Sequence, residues 1–211
     1  MDKPYTTLTG YGCDEFTVNR SRFIGYARPT ETEEAALAFL EEIRGKHRDA
    51  RHCCYAYIIG RNAGIMRYSD DGEPGGTAGL PMISLLKKRE LVNCCAAVVR
   101  YFGGILLGTG GLVRAYTQGC EIALQAAGLC LMEPSALLLC EISYDQWDLV
   151  QYQLKSLPAL VTGTEYGASV SFELQVRVRD LEMVEERLTR ATNGRLATLL
   201  EETRYAAWPS Y

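Results

Sequence analysis

Histidine is scarce in this chain and long apolar runs are missing. His47 and His52 are the two histidines among 211 residues, and with no Cys-x2-Cys pair to join them a zinc site has no donor set of ordinary spacing. No stretch approaches the roughly 20 consecutive apolar residues of a membrane-spanning helix. Met-Asp-Lys-Pro-Tyr at the start lacks the basic and then apolar regions of a secretory signal. No Gly-x4-Gly-Lys-Ser/Thr occurs, which excludes a P-loop. Excess positive charge is missing too. Residues 1–133 hold 15 Lys and Arg against 15 Asp and Glu, and residues 134–211 hold 7 against 11, so the second part carries the whole net charge of −4. Binding of nucleic acid must therefore rest on a local patch, not on overall charge.

What is present describes a folded protein. With 47% apolar and 23% charged residues the chain can bury a sizeable core, as one large domain or two small ones. The eight cysteines stand singly, as Cys13, Cys120, Cys130 and Cys140, or in the adjacent pairs Cys53-Cys54 and Cys94-Cys95. Mostly set in apolar runs, they read as small buried hydrophobes in a reducing cytoplasm.

Two glycine-rich runs dominate. In Ser69-Asp70-Asp71-Gly72-Glu73-Pro74-Gly75-Gly76-Thr77-Ala78-Gly79-Leu80-Pro81, six of thirteen positions are Gly or Pro, and three carboxylates fall within four residues. The second run, from Arg100 to Tyr116, carries five glycines between Gly103 and Gly111 among aliphatic residues. Such loops lose much backbone entropy on folding. Each precedes a predicted helix, whose free N–H groups and positive dipole end suit an anion.

Periodicity predicts short strands within Tyr5 to Val18 and a strand over Arg22 to Ala27. A helix follows, capped by Thr30 or Thr32 and stopped at Gly45. Strands at His52 to Ile59 and Gly64 to Tyr68 form a hairpin. The next helix begins between Thr77 and Leu80, with Pro81 in its first turn. Cys94 to Tyr101 is a nearly continuous apolar strand, buried on both faces or nearly so, and a long helix follows over Leu112 to Gly128 with Thr109 as a possible cap. Met132-Glu133-Pro134-Ser135 marks a boundary. Beyond it the pattern is strand 136–143, helix 145–156, strands 159–166 and 168–178, helix 181–192 and strand 196–204. That is the βαββαβ or ferredoxin-like order, with 205–211 as an irregular tail. The expected domains are 1–133 and 134–204.

Several constellations invite chemistry. Asp70, Asp71 and Glu73 could act as an acid/base pair or hold a divalent cation, but the distant bidentate Glu of a calcium loop is absent. His52 and Cys54 lie on one strand face, although a Cys within an apolar strand is usually inert. Gly108-Thr109-Gly110-Gly111-Leu112-Val113 starts like a dinucleotide fingerprint and has Val in place of its last Gly. Arg20, Arg22, Arg51, Arg100 and Arg114, with Tyr55, Tyr57, Tyr101 and Tyr116, could line one face as a single-stranded RNA surface does.

Ser21-Arg22-Phe23-Ile24, Ala50-x-His52-x-Cys54-x-Ala56-Tyr57 and the two glycine runs resemble the signature of the Impact family, in its bacterial YigZ-type branch, over about residues 5–128. The later βαββαβ segment resembles the small second domain of bacterial members, itself similar to the last domain of elongation factor G. The resemblance implies an α+β protein: an N-terminal ribosomal protein S5 domain 2-like sheet with helices on one face, then a ferredoxin-like domain. It also implies a cytoplasmic, translation-associated role with RNA or the ribosome as partner, or a translation-related protein, and no cofactor. The expected binding residues are Arg22, His52, Asp71, Glu73, Gly76, Thr77, Arg100, Tyr101, Gly103, Gly104, Gly110 and Arg114. A hydrolase using His52, Asp70, Asp71 and Glu73 and a protein-interaction module are the alternatives.

Overall fold

A computed structural model describes residues 3–208, which fold as α+β with two five-stranded sheets and five α-helices. Residues 5–131 make one compact unit and 132–207 another.

In the first unit a short strand, β1 (Tyr5–Leu8), precedes β2 (Gly12–Val18), β3 (Ser21–Pro29), helix α1 (Glu33–Lys46), β4 (His52–Ile59), β5 (Ile65–Ser69), α2 (Gly79–Lys88), β6 (Cys94–Tyr101) and α3 (Gly108–Ala127). The sheet order is β2-β3-β6-β4-β5, with every neighbouring pair antiparallel. β6 is central, and its alternation serves two cores. Cys94, Ala96 and Val98 join residues of α2 and α3 on one face. Cys95, Ala97 and Val99 join Ala36, Phe39, Leu40 and Ile43 of α1 on the other. The apolar run of β6 from Cys94 to Val99 follows from this double burial. The one-faced arrangement therefore holds for α2 and α3, and α1 is added on the opposite face.

Local chemistry explains most ends and corrects some. Thr32 caps α1 by accepting from the Ala35 N–H. Gly45 does not stop that helix, which continues to Lys46 and closes through the His47 N–H. Thr109 is no cap either. The long helix starts four residues earlier than expected, at Gly108, after Leu107, whose side chain caps nothing. Gly108 has φ +68°, a conformation that favours glycine.

The second unit runs β7 (Leu129–Ile142), α4 (Tyr144–Leu154), β8 (Ala159–Tyr166), β9 (Val170–Arg177), α5 (Leu181–Ala191) and β10 (Ala197–Trp208). Its sheet places β9 between β7 and β8, with β10 also on β7. Leu138, Cys140, Phe172, Leu174 and Val176 pack beneath Trp147, Val150, Val184 and Leu188 of the two helices. The two units divide between Leu131 and Met132, and β7 crosses that division without a break: its ladder to β9 begins only at Ser135, so the missing N–H of Pro134 breaks no bond in it. Residues 205–208 of the expected tail belong to β10, while 209–211 lie outside the described residues.

Candidate functional site

The two glycine runs meet through one buried carboxylate. Glu73, from the first run, accepts from the Arg100 guanidinium at 2.8 Å and the Tyr116 hydroxyl at 2.7 Å, and all three side chains are buried. Arg100 and Tyr116 are the two ends of the second run. Arg100 lies between the rings of Phe23 and Phe102, at 5.5 and 5.3 Å from their centroids. Ser21 completes the junction, its hydroxyl within 3.4 Å of the guanidinium and accepting the Gly103 N–H at 3.2 Å. Burial and the carboxylate together hold the Tyr116 hydroxyl protonated, far above its ordinary range.

Below this junction the first run is folded by its aspartates. One oxygen of Asp70 accepts the N–H groups of Ala78 and Gly79, and the other that of Gly76, at 2.8–2.9 Å. Asp70 thus caps α2, whose preceding residue Ala78 has no side-chain acceptor. Burial would raise its carboxyl pKa, but these three bonds outweigh it and hold the carboxyl below the ordinary value. A depressed folded-state value adds stability that is full above about pH 4, the ordinary aspartate value, and fades as pH falls toward the folded one. Asp70→Asn is expected to lower stability by about 2 kcal/mol at pH 7. Denaturant midpoints of the two proteins should converge as the pH is taken down to about 3, below the ordinary aspartate value.

Asp71, at φ +41°, accepts the Cys53 N–H at 2.7 Å and lies 3.9 Å from Arg44. Its carbonyl accepts from Nδ1 of His52 at 2.8 Å. A carbonyl only accepts, so Nδ1 carries the proton in this bond. His52 and Cys54 do not form a nucleophilic pair. The Cys54 thiol donates to the Asp70 carbonyl, and burial pushes its pKa well up. Cys53 is pushed up to about 11 by the same cause. Thr77 is buried and donates to the Pro74 carbonyl, and Gly76 sits at φ +78°.

The single arginine and tyrosine face is overturned. Register pairs Arg22 with Tyr101 and Phe23 with Arg100, and neighbours along a strand point to opposite faces. Arg22 and Tyr101 are therefore on the α1 side and Arg100 on the α3 side. Arg22 is exposed and paired with Glu15. The Tyr101 hydroxyl donates to Asp49 and meets Nδ1 of His47. Tyr57 and Tyr116 are core residues. Arg100 has almost no contact with solvent, at 6% exposure, and cannot serve as a surface contact.

What the second run does present is a rim. Gly103 packs on the backbone of Arg20, whose carbonyl oxygen would lie 2.0 Å from a Cβ placed there. Phe102 is 49% and Leu106 84% exposed. Gly104 at φ +85°, Gly108 and Gly110 are open to solvent, and the exposed Arg114 reaches back over Gly110. The first turn of α3 carries uncapped N–H groups. Phe102, Leu106 and Ser21 are not among the residues expected at the site. The signal that could have found the first two is an apolar pair amid glycines, where no core-facing period exists to bury them.

Residues 19–124 match the Impact N-terminal domain, and residues 140–195 match a domain of unknown function, DUF1949. The IMPACT family member YvyE of Bacillus subtilis is 37% identical over 90% of this chain and 88% of its own. The IMPACT family member YigZ of Escherichia coli is 35% identical over 88% and 92%. The protein IMPACT homolog of Saccharomyces cerevisiae is 32% identical over 51% of this chain and 43% of its own. A crystal structure of a protein described as hypothetical superposes with a TM-score of 0.61 at 32% identity, over 96% of this chain and 99% of that one.

Proposed function

The chain belongs to the Impact family, and from that premise we propose that it is a cytoplasmic, translation-associated factor that binds RNA, including RNA on a ribosomal surface, without catalysis. The observation that carries this reading is the rim formed by Arg20, Phe102, Leu106, Arg114 and the uncapped start of α3. An exposed aromatic ring beside unpaired N–H groups and arginines offers a base-stacking surface with phosphate contacts around it, a combination that single-stranded RNA uses. Arg100 works from behind: held by Glu73, it backs the Phe102 ring. A hydrolase is less well supported. Asp70, Asp71 and Glu73 are each committed to backbone N–H groups or to Arg100 and Tyr116.

The test is cosedimentation with ribosomes, and filter binding of single-stranded RNA, across a salt series. Arg20→Ala with Arg114→Ala should weaken binding and reduce the slope of log affinity against log salt by about 1.4 for single-stranded RNA, roughly 0.7 for each phosphate no longer neutralised. Phe102→Ala should cost about tenfold or more at every salt concentration. Unchanged binding in both the double variant and Phe102→Ala would refute the reading. These side chains are exposed, so their removal leaves the core intact.

A further inference from the structure

We infer that the second unit carries a peptide-binding groove between α4 and β8, and that its occupant is an extended segment of a partner protein added to the sheet as a strand. The sheet order makes β8 an edge, so among the described residues no strand pairs with its outward N–H and C=O groups. Beside this edge lies a groove of about 710 Å³, walled by α4 on one side and β8 on the other. An unpaired strand edge next to a helix-walled groove is the arrangement that accepts a peptide by strand addition. Main-chain bonds hold the peptide, and alternate side chains enter the groove.

The walls specify what enters. Trp147 is nearly buried at the floor, while Tyr152 is 70% and Tyr166 64% exposed on opposite rims. Tyr152 leaves most of its ring in water, and Tyr166, stacked on Tyr144 by one face, keeps its outer part there, so both rims still offer apolar contact. Asp148 and Tyr152 of α4 and Lys155, at its C-terminal cap in helical conformation, lie at i, i+4 and i+7, one stripe along the groove. Asp148 and Lys155 are both exposed, and neither is ion-paired among the described residues. They stand about 10 Å apart along the helix axis. The Tyr144–Tyr166 ring stack puts the end of β8 beside the start of α4, so Asp148 lies toward the Tyr166 end and Lys155 toward Ala159.

A peptide running antiparallel to β8 therefore fits best with a basic, an apolar and an acidic side chain at alternate positions, two residues apart on the face that meets the groove. A nucleic acid strand would leave the edge N–H and C=O groups unpaired and would meet Asp148.

The probe is the synthetic peptide Thr-Lys-Val-Leu-Val-Glu-Thr, titrated into the full chain and followed by amide shifts and hydrogen exchange, with Thr-Lys-Val-Leu-Val-Lys-Thr as its comparison. The wild type is expected to prefer the first at least fivefold, with new exchange protection confined to β8. Lys155→Glu should reverse the preference, and Tyr152→Ser should weaken both. No binding of either peptide below millimolar concentration would overturn the proposal. So would binding that leaves β8 amides unprotected, a preference that Lys155→Glu does not reverse, or β8 protected by self-association without peptide.

Discussion

Arg100→Ala is expected to destabilise the first unit by about 3–5 kcal/mol, because it takes the cation away from the buried Glu73 carboxylate and leaves it, among its hydrogen-bond partners in the described residues, the Tyr116 hydroxyl. Urea unfolding followed by far-ultraviolet circular dichroism measures the loss. The companion change separates charge from shape. In Arg100→Met with Glu73→Leu both buried charges are gone and apolar volume remains, so most of the lost stability should return, as it does where buried ion pairs are replaced by packed hydrophobes. If Arg100→Ala costs less than about 1 kcal/mol, as an exposed pair would, the buried junction is wrong. Loss of RNA binding in Arg100→Ala would follow from collapse of the support beneath Phe102 and would not identify a contact.

Gly25→Ala should cost about 3 kcal/mol or more, since overpacking that only backbone movement can relieve lies at the upper end of such effects. Gly25 sits in the middle of β3, and a Cβ there would lie 2.0 Å from the Gly119 carbonyl oxygen of α3 and 3.1 Å from the Ala123 Cβ. A methyl group can enter only if α3 lifts from the sheet, and α3 carries Tyr116 and the rim with it. Thermal unfolding reads the effect directly. Gly45→Ala is the control. Gly45 lies inside α1 with nothing within 4 Å of a Cβ, so the same change there should stabilise by about 0.5–1 kcal/mol.

Such residues mark how far the sequence alone is legible. Strands with a run of apolar residues between turn formers are bounded as expected: His52–Ile59, Cys94–Tyr101 and Ala159–Tyr166 all stand where periodicity places them. Both glycine runs do converge, but the reason lies in long-range pairing. Arg100 looks like a surface cation until the register of β6 puts it on the inner face, where the carboxylate that reaches it comes from a run 27 residues earlier. Asp70 and Asp71 look like paired acids because a sequence shows side-chain acceptors without the backbone N–H groups that use them up. The glycines of close packing, Gly25 and Gly119, stand outside both runs and carry no motif that sets them apart. The family resemblance reaches the domain order before any of this geometry is visible.

The central place of β6 also governs time. Its partners β3 and β4 never touch each other as neighbours, since β6 lies between them, and its register with β3 runs from Pro29 with Cys94 to Arg22 with Tyr101. The hairpins β2–β3 and β4–β5 can form early from local contacts, yet neither joins the other until a segment made after both is threaded between them. Non-local closure of this kind is slow. During synthesis at roughly 5–20 residues per second, the two hairpins wait seconds with their inner edges bare. The nascent chain is therefore at its most aggregation-prone just before Tyr101 clears the ribosome, and a pause placed there would be worse for yield than one placed anywhere in the second unit.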